Sequence, residues 1–300
     1  MNLIEIEAFL AIVETGSVSK ASEKLHLSQS SVSHRLKLLE RNLDVQLIER
    51  NKGQRYILLT PKGEDFIPIA ERWISLHKDT TAWQKIEQKQ NLRIGCIDSF
   101  NGYIFPPLYQ QFVKPTAPMN LTINTHWSNT VFNRLETHEV DIGFIMRNFH
   151  SKNIISEPLF EERMVVVSAP DMLTLPDLVH PRELNQANEL FMYLGPEFQI
   201  WHDYWWDPAK ASGSTVDIAI LILTLLDSAE LWSIVPISMA RSFQKVKNIK
   251  ISELSSPPPN RVCYKITHRN PSPSSASALI LFDAHLKEFV QSETLESLLK

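Results

Sequence analysis

Short polar side chains followed by cations occupy residues 28–37, a pattern suited to hydrogen bonding with nucleic-acid bases. Val32, Leu36 and Leu39 recur at spacings of four and three, which predicts a helix with one buried face. The opposite face then carries Gln29, Ser30, Ser33, His34, Arg35 and Lys37. Short donors and acceptors at a helix N-terminus, with cations behind them, suit a helix in the major groove of DNA. The alternative is an ordinary helical hairpin with a solvated polar face.

Two further predicted helices precede this one in the chain. Leu3 to Glu14 has an apolar stripe at spacings of three and four and is followed by Gly16, a common helix terminator. Ser17 can cap the second helix through its hydroxyl, and Ser28 can cap the third in the same way. The second and third helices, joined by a tight turn, predict a helix-turn-helix.

A basic hairpin is predicted directly after these helices. Two short strand-like runs, Gln46 to Ile48 and Tyr56 to Leu59, flank a glycine-containing tip that carries Arg50, Lys52 and Arg55. Cations on such a tip can follow the phosphate backbone or enter the minor groove. A solvated loop is the alternative, although three cations in six residues beside a helix-turn-helix favour a wing.

A long helix should begin at Thr60, the predicted cap, with Pro61 in the first helical position, and continue to about Gln88. Pro68 should kink its first turns. Apolar positions alternate at three and four residues, which is typical of a coiled-coil seam, and they are Phe66, Ile69, Trp73, Leu76, Thr80 and Trp83. A lone helix would expose this seam, so we predict a homodimer through paired helices. The alternative is packing against the chain's own C-terminal domain.

The charge distribution separates the chain into two parts of opposite sign. The 300 residues include 43% apolar and 21% charged side chains, an ordinary globular composition that suggests two domains. Nine Lys/Arg against four Asp/Glu between Lys20 and Lys62 give a local charge of +5, whereas 17 against 22 from Asn91 onward give −5. A basic N-terminal module on an acidic body indicates one surface for phosphates and another for a different partner.

The first residues carry acids where a signal peptide would be basic, and the longest apolar run, Ile218 to Leu226, is too short for a bilayer. We therefore expect a cytoplasmic protein with no membrane partner. Cys96 and Cys263 each lie inside an apolar run and are expected to be buried structural thiols. A redox-responsive pair is the alternative.

From Asn91 onward, strand and helix patterns alternate, which predicts an α/β domain built on parallel strands. Two such sets in succession predict two lobes of similar build with a cleft between them. The residues that follow three successive strands are candidate ligand contacts: Ser99, Asn101, Trp127, Ser128, Asn129, Met146 and Arg147. Plain helix capping is the alternative for Ser99 and Ser128, and simple solvation for Arg147.

The run ASEKLHLSQSSVSHRLKLLERNLDVQLIER, followed by RYILLTPKGEDFIPIAERW, resembles the helix-turn-helix and linker of the LysR-type transcriptional regulators. The resemblance implies a winged helix-turn-helix over residues 1–60, a dimerisation helix over 61–90 and a two-lobed, periplasmic-binding-protein-like effector domain over 91–300. One lobe would contain about 91–160 and 266–300, and the other about 161–265. Departures from the family pattern are Ser30, His34-Arg35, Asp44 and the stretch Asp227 to Leu231.

The resemblance also implies partners and contacts. An operator of double-stranded DNA with an imperfect inverted repeat would be bound by a dimer of dimers, a homotetramer that responds to a small-molecule effector and contacts RNA polymerase. Bases would be read by Gln29, Ser30, Ser33 and His34, and phosphates held by Arg35, Lys37, Lys52 and Arg55, with Ser28 and Arg50 beside them. Further effector contacts would be Phe198, Ile200, Trp201 and His202.

The eight-residue run QIWHDYWW is open to several interpretations: stacking on a planar or cationic effector, a lid or subunit contact, or core packing, which is slightly favoured. No nucleophile elbow, metal-ligand spacing or phosphate-binding glycine loop is present in the sequence. We therefore expect no catalytic residue, no metal site and no cofactor. A small-molecule-converting enzyme is a remote alternative.

Overall fold

The computed structural model describes residues 1–49, 57–83, 90–114, 116–169, 175–210, 213–227 and 230–300, without the side chains of residues 78, 79, 82 and 83. The first three helices are α1 (Leu3–Thr15), α2 (Val18–Lys24) and α3 (Gln29–Leu43). Residues 1–60 are called the head below. Its core includes Ile6, Phe9 and Ile12 of α1, which are fully buried against α3 and its neighbours.

Most of the predicted head signals are confirmed. Gly16 ends α1 in the left-handed conformation (φ 65°), and Ser28 caps α3 by accepting the Ser31 N–H at 3.1 Å. Asp44 adopts the left-handed turn (φ 52°) in which the family pattern has glycine. The prediction for Ser17 is wrong in one respect, because this residue occupies the N-cap of α2 but its side chain makes no capping hydrogen bond.

The base of the predicted wing is present as an antiparallel bridge between Ile48 and Leu59. The basic tip, with Arg50, Lys52 and Arg55, lies outside the described residues. After this bridge, α4 (Pro61–Trp83) begins at the predicted proline, and Thr60 caps it by accepting the Gly63 N–H at 3.0 Å. Pro68 lies inside this helix.

The predicted seam on α4 divides between two environments. Ile69, Trp73 and Leu76 are 57%, 39% and 59% exposed, and Thr80 is also exposed, as an unpaired seam requires. Phe66 is instead buried in the head, with its ring centroid 5.4 Å from that of Phe9, so its assignment to the dimer seam is wrong. The side chain of Trp83 lies outside the described residues. Of the seam positions, Phe66 lies nearest to the head and therefore packs in the core of the head.

Another face of α4, outside the predicted seam, packs against the chain's own C-terminal domain. Ser75 is 3% exposed and donates to the His138 carbonyl at 2.6 Å. The His138 ring lies 4.1 Å from that of His268, whose pKa is lowered chiefly by burial. The helix therefore uses one face within the chain and leaves the Ile69 face open.

The C-terminal domain begins with the alternation of strand and helix that the sequence predicts. In order, the elements of the first lobe are β1 (Gln90–Cys96), α5 (Asp98–Tyr103), α6 (Pro106–Tyr109), β2 (Met119–Thr125), α7 (Ser128–Glu136), β3 (Ile142–Ile145) and β4 (Ile154–Glu162). The second lobe follows with β5 (Met164–Ser168), β6 (Leu178–Val179), two short 3-10 turns, β7 (Leu190–Phe191), α8 (Pro196–Trp205), β8 (Ser214–Thr215), α9 (Ala219–Leu225), β9 (Trp232–Pro236), α10 (Ile237–Gln244) and β10 (Lys250–Leu254).

The chain returns to the first lobe with β11 (Arg261–His268), α11 (Ala276–Val290) and α12 (Glu293–Leu299). The first-lobe sheet has the order β2-β1-β3-β11-β4, in which β1, β2 and β3 are parallel and β11 is antiparallel to both of its neighbours. The second-lobe sheet, β6-β10-β5-β9, has antiparallel β10–β5 and β5–β9 pairs. The return strand thus begins before the expected boundary at residue 266.

Some element predictions differ from the structure for local reasons. The sequence predicts one helix over residues 104–113, but only the short helix α6 lies there, separated from α5 because Pro106 and Pro107 cannot donate the backbone hydrogen bonds that would join the two. The sequence predicts one closing helix over about residues 275–299, but it is divided into α11 and α12 at Ser292, whose hydroxyl caps α12. Within the described residues, no helix is both long and apolar enough to cross a membrane.

Candidate functional site

The N-terminal half of α3 presents a polar surface to solvent. Ser28, Gln29, Ser30, His34 and Lys37 are exposed, whereas Ser33 and Arg35 are half-buried. Val32, Leu36 and Leu39 lie on the buried side of the same helix, as the spacing predicted. The candidate base-reading and phosphate-binding side chains of α3 therefore share one accessible side of the head.

Two polar contacts hold this surface in place. Gln29 Nε2 donates to Ser19 Oγ at 3.0 Å, which joins α3 to α2. At the other end of α3, the buried Glu40 carboxylate accepts the Leu47 and Ile48 N–H groups at 3.0 and 3.3 Å. Since charge-assisted hydrogen bonds to backbone groups are directional and strong, Glu40 fixes the start of the hairpin relative to α3.

A cavity of about 680 Å³ lies between the two lobes. Its wall contains strand ends and helix starts from both lobes, as expected for a ligand site in a two-lobed α/β protein. Six residues predicted from the sequence line it: Trp127, Ser128, Asn129, Met146, Arg147 and Phe198. Ser128 is 7% exposed, and its hydroxyl accepts the Met146 N–H at 3.3 Å instead of capping its own helix.

The other predicted contacts do not line this cavity. Asn101 bonds to Thr125 and to the Tyr109 hydroxyl, on the first lobe. Ser99 lies behind the wall, where it accepts from Arg261 Nη2 at 3.0 Å. Ile200 points outward and is 73% exposed.

Trp201 and His202 are used in the packing of the second lobe. Trp201 Nε1 donates to the Ser256 carbonyl at 3.0 Å. The His202 ring is buried beside Glu189, with Nε2 2.9 Å from Oε2. Trp206, from the same aromatic run, packs against Trp232 in the core with ring centroids 5.4 Å apart. Trp201, His202 and Trp206 therefore pack in the second lobe, because α8 turns these positions inward while Ile200 and Tyr204 face solvent.

Arg261 is the principal cavity residue that sequence reasoning missed. It opens β11, is 7% exposed and lines the cavity. Its guanidinium is paired with the buried Glu162 carboxylate and lies 5.1 Å from the centre of the Phe100 ring. An arginine at the start of the predicted strand RVCYKITH, directly after the SSPPPN loop, was the available signal.

The ion pair between Arg261 and Glu162 lies where the chain crosses from one lobe to the other. Glu162 ends β4 and is the register partner of Arg261. Ser238 of α10, in the second lobe, donates to Glu162 Oε2 at 2.6 Å. The network Ser99–Arg261–Glu162–Ser238 therefore connects both lobes at the rear of the cavity.

Both cysteines are fully buried in the first lobe, and burial raises the pKa of each thiol well above its ordinary value. We expect neither Cys96 nor Cys263 of the native protein to react with dithionitrobenzoate within an hour at pH 8, whereas the urea-unfolded chain should give two equivalents. The absorbance of the released thionitrobenzoate measures how many thiols have reacted. Reaction of the native protein within minutes would favour the redox alternative.

Among the described residues, no cluster of three or more His, Cys, Asp and Glu side chains is arranged to hold a metal ion.

Two family models match the chain, one for each part of the molecule. Residues 3–64 match the model described as a bacterial regulatory helix-turn-helix protein of the lysR family. Residues 85–285, about two thirds of the chain, match the LysR substrate binding domain.

Curated relatives share parts of this sequence. The HTH-type transcriptional regulator YofA of Bacillus velezensis is 29% identical over 178 residues, which cover 58% of this chain and 61% of the relative. The uncharacterized HTH-type transcriptional regulator YeiE of Escherichia coli is 33% identical over 174 residues, 57% of each protein. The chain therefore spans less than two thirds of the length of these relatives.

Solved structures share the fold across nearly the whole chain. CbnR, a LysR family transcriptional regulator, has a TM-score of 0.68 at 19% identity, with 97% of this chain and 100% of that chain covered. CbnR in complex with its target DNA has a TM-score of 0.66 at 19% identity, covering 96% and 100%. Full-length OxyR from Pseudomonas aeruginosa has a TM-score of 0.63 at 23% identity, covering 95% and 94%. At these identities the likeness concerns the fold alone.

Proposed function

The chain belongs to the LysR family, and from this premise we propose that it is a transcriptional regulator that binds operator DNA through α3 and the adjacent hairpin. The exposed polar face of α3 carries the proposal, since it combines an amide, hydroxyls and a lysine on one accessible side of the head. Gln29 and Ser30 are placed to reach base edges, and Lys37 to hold a phosphate. If this face were only solvated, the concentration of hydrogen-bond donors on it would have no explanation.

The cavity between the lobes is the proposed effector site. Its size suits a small molecule, and its wall is formed by both lobes, so a ligand can favour one closure over another. An effector acts only to the extent that it binds one arrangement more tightly. The proposed regulation is therefore a population shift that changes the spacing between paired heads.

The exposed face of α4 supports a homodimer in the proposal, with Ile69, Trp73 and Leu76 as the contact. Two heads related by a two-fold axis would read an inverted-repeat operator. A dimer of dimers, contact with RNA polymerase and a cytoplasmic location complete the proposal by analogy with the family. No catalytic role is proposed.

Selection from a random-sequence pool of duplexes tests the operator proposal. The full chain is used for the selection, and we expect enrichment of an imperfect inverted repeat. Anisotropy titrations then compare the selected and scrambled duplexes at two salt concentrations. Failure to enrich any sequence would contradict the proposal.

Two matched variants separate base reading from phosphate contact. Gln29→Ala should lose about 1–3 kcal/mol of discrimination between the two duplexes. Lys37→Ala should weaken binding to both about equally and reduce the salt slope by about one. If Lys37→Ala changed the preferred sequence instead, the assignment of roles on α3 would be wrong.

A further inference from the structure

The side-chain amide of Gln29 is held in place from the neighbouring helix. Gln29 is the first residue of α3 and is exposed, and its Nε2 donates to Oγ of Ser19 at 3.0 Å. Ser19 is the second residue of α2 and is half-buried. An exposed glutamine without such a partner would sample many rotamers, and the cost of ordering it on DNA would weaken binding. The hydrogen bond therefore orders the amide before any DNA is bound.

The Ser19 hydroxyl is itself placed by a fixed turn between α2 and α3. His26 adopts the left-handed conformation (φ 54°), and the Leu27 N–H donates to the Ser22 carbonyl at 2.9 Å. Ser22 is 6% exposed, and its hydroxyl donates to the Ser19 carbonyl at 2.7 Å. Ala21, which lies between them in α2, is fully buried in the head. The two helices are thus held at one spacing, and Ser19 keeps a constant position relative to Gln29.

The hydrogen bond decides which groups the amide can offer to a base. A carboxamide has two N–H donors and one carbonyl acceptor, and Ser19 occupies one of the two donors of Gln29. One N–H and Oε1 remain. Adenine presents an acceptor at N7 and a donor at N6 in the major groove, and this remaining pair complements them. Guanine presents two acceptors, N7 and O6, and would require both N–H groups. Ser19 therefore favours adenine over guanine as the base that Gln29 contacts.

We propose that Ser19 is a positioning residue for operator recognition, and that it orients Gln29 to read one adenine in each half of the operator. Ser19 acts through Gln29 and makes no base contact of its own. This inference rests on the proposed function and specifies the base that α3 recognises. It adds a residue of α2, which the sequence pattern did not identify, to the residues that determine specificity.

A comparison of selected sequences identifies the base pair. The random-pool selection is repeated with the Gln29→Ala variant of the full chain, and the pair whose preference this variant loses is taken as the contact of Gln29. We expect A·T at this pair in the wild-type pool. Replacement of its adenine by 7-deazaadenine, which lacks the N7 acceptor, should weaken wild-type binding about tenfold and leave Gln29→Ala binding unchanged. Selection of G·C at this pair, or no change of preference in Gln29→Ala, would contradict the proposal.

Variants of Ser19 then test the positioning role. The measured quantity is the ratio of the Kd values for the G·C and A·T forms of the operator at that pair, from anisotropy titrations. Ser19→Ala should reduce this ratio about fivefold, as expected when one more side chain must be ordered on binding. Its affinity for a scrambled duplex and its salt slope should stay unchanged, because no phosphate contact is lost. Ser19→Thr keeps the hydroxyl and should keep the ratio.

Ser17→Ala is the matched control, because it removes a hydroxyl at the start of the same helix that makes no capping hydrogen bond. This control should keep the wild-type ratio. The double variant Ser19→Ala/Gln29→Ala shows whether Ser19 acts through Gln29, since residues that share one contact are not additive. Its ratio should equal that of Gln29→Ala alone. A further reduction in the double variant, as a merely structural role of Ser19 would produce, would contradict the positioning role.

The remaining outcomes separate the two proposals. No enrichment of any sequence by the wild-type chain would contradict the regulator proposal and the inference that rests on it. Enrichment of an operator together with an unchanged ratio in Ser19→Ala would contradict the positioning role alone. If Ser19→Ala weakened binding to the operator and to the scrambled duplex by the same factor, Ser19 would be a phosphate contact, and the positioning role would again be wrong.

Discussion

A Gly63→Ala variant is expected to lose the native head while the two lobes remain folded. Gly63 lies in the first turn of α4, and a Cβ built on it would be 2.0 Å from the Leu47 carbonyl oxygen. That oxygen also accepts the Thr60 N–H at 3.0 Å, so moving α4 away would break the junction of hairpin and helix. Because the obstacle is backbone, no side-chain rotation relieves it.

The expected cost is about 3 kcal/mol, the upper end of the usual range for overpacking. At the lower end of the ordinary scale, about 0.05 kcal/mol per residue, a small unit such as the head has about 3 kcal/mol of stability, so this cost removes it. Hydrogen-exchange mass spectrometry should show lost protection in peptides from residues 1–60 and unchanged protection beyond residue 90. Selective DNA binding should disappear with the head.

Gly102→Ala is the matched control for this substitution. Gly102 lies in α5, and a Cβ there meets nothing within 4 Å. Since alanine is favoured over glycine in a helix by about 0.5–1 kcal/mol, this variant should be at least as stable as the wild type. Native-like protection of residues 1–60 in Gly63→Ala would contradict the close approach of Leu47.

The head could be predicted closely because its signals are local. Ser28, Thr60 and Pro61 mark helix starts through hydrogen bonds and torsion angles that involve only a few neighbouring residues. The environment of Phe66 could not be predicted in this way. Its spacing fits the seam, but its burial against Phe9 depends on where the head folds back on α4. Periodicity identifies an apolar face and leaves its partner undetermined.

The cavity was only partly predictable for a similar reason. Trp127 to Asn129 were recognised because ligand contacts in α/β folds gather after strand ends. Arg261 comes from the beginning of a strand, and it reaches the cavity only because β11 runs antiparallel to β3. His202 was misplaced because the sequence did not reveal which side of α8 faces the core. Strand direction and helix rotation are consequences of tertiary packing.

An Ile69→Glu variant is expected to be monomeric at micromolar concentration and to lose operator binding. In the proposed dimer, the seam of α4 packs against the same seam of a second chain, which would cover Ile69, Trp73 and Leu76, all three exposed within one chain. Each Ile69 contributes about 1.5–3 kcal/mol on full burial, and an unpaired carboxylate in its place adds several kcal/mol of desolvation cost. The substitution occurs twice per dimer, so dissociation should increase by more than a hundredfold.

Analytical ultracentrifugation measures this change, and circular dichroism should show an unchanged fold because Ile69 is 57% exposed within one chain. Thr81→Glu provides the control, since it adds the same charge at another exposed position of α4 outside the seam. That variant should remain dimeric and bind the selected operator as the wild type does. If Ile69→Glu also remained dimeric, the interface would lie elsewhere, and the exposed Ile69 face would need another partner. If it became monomeric yet kept operator affinity, paired heads would not be required for recognition.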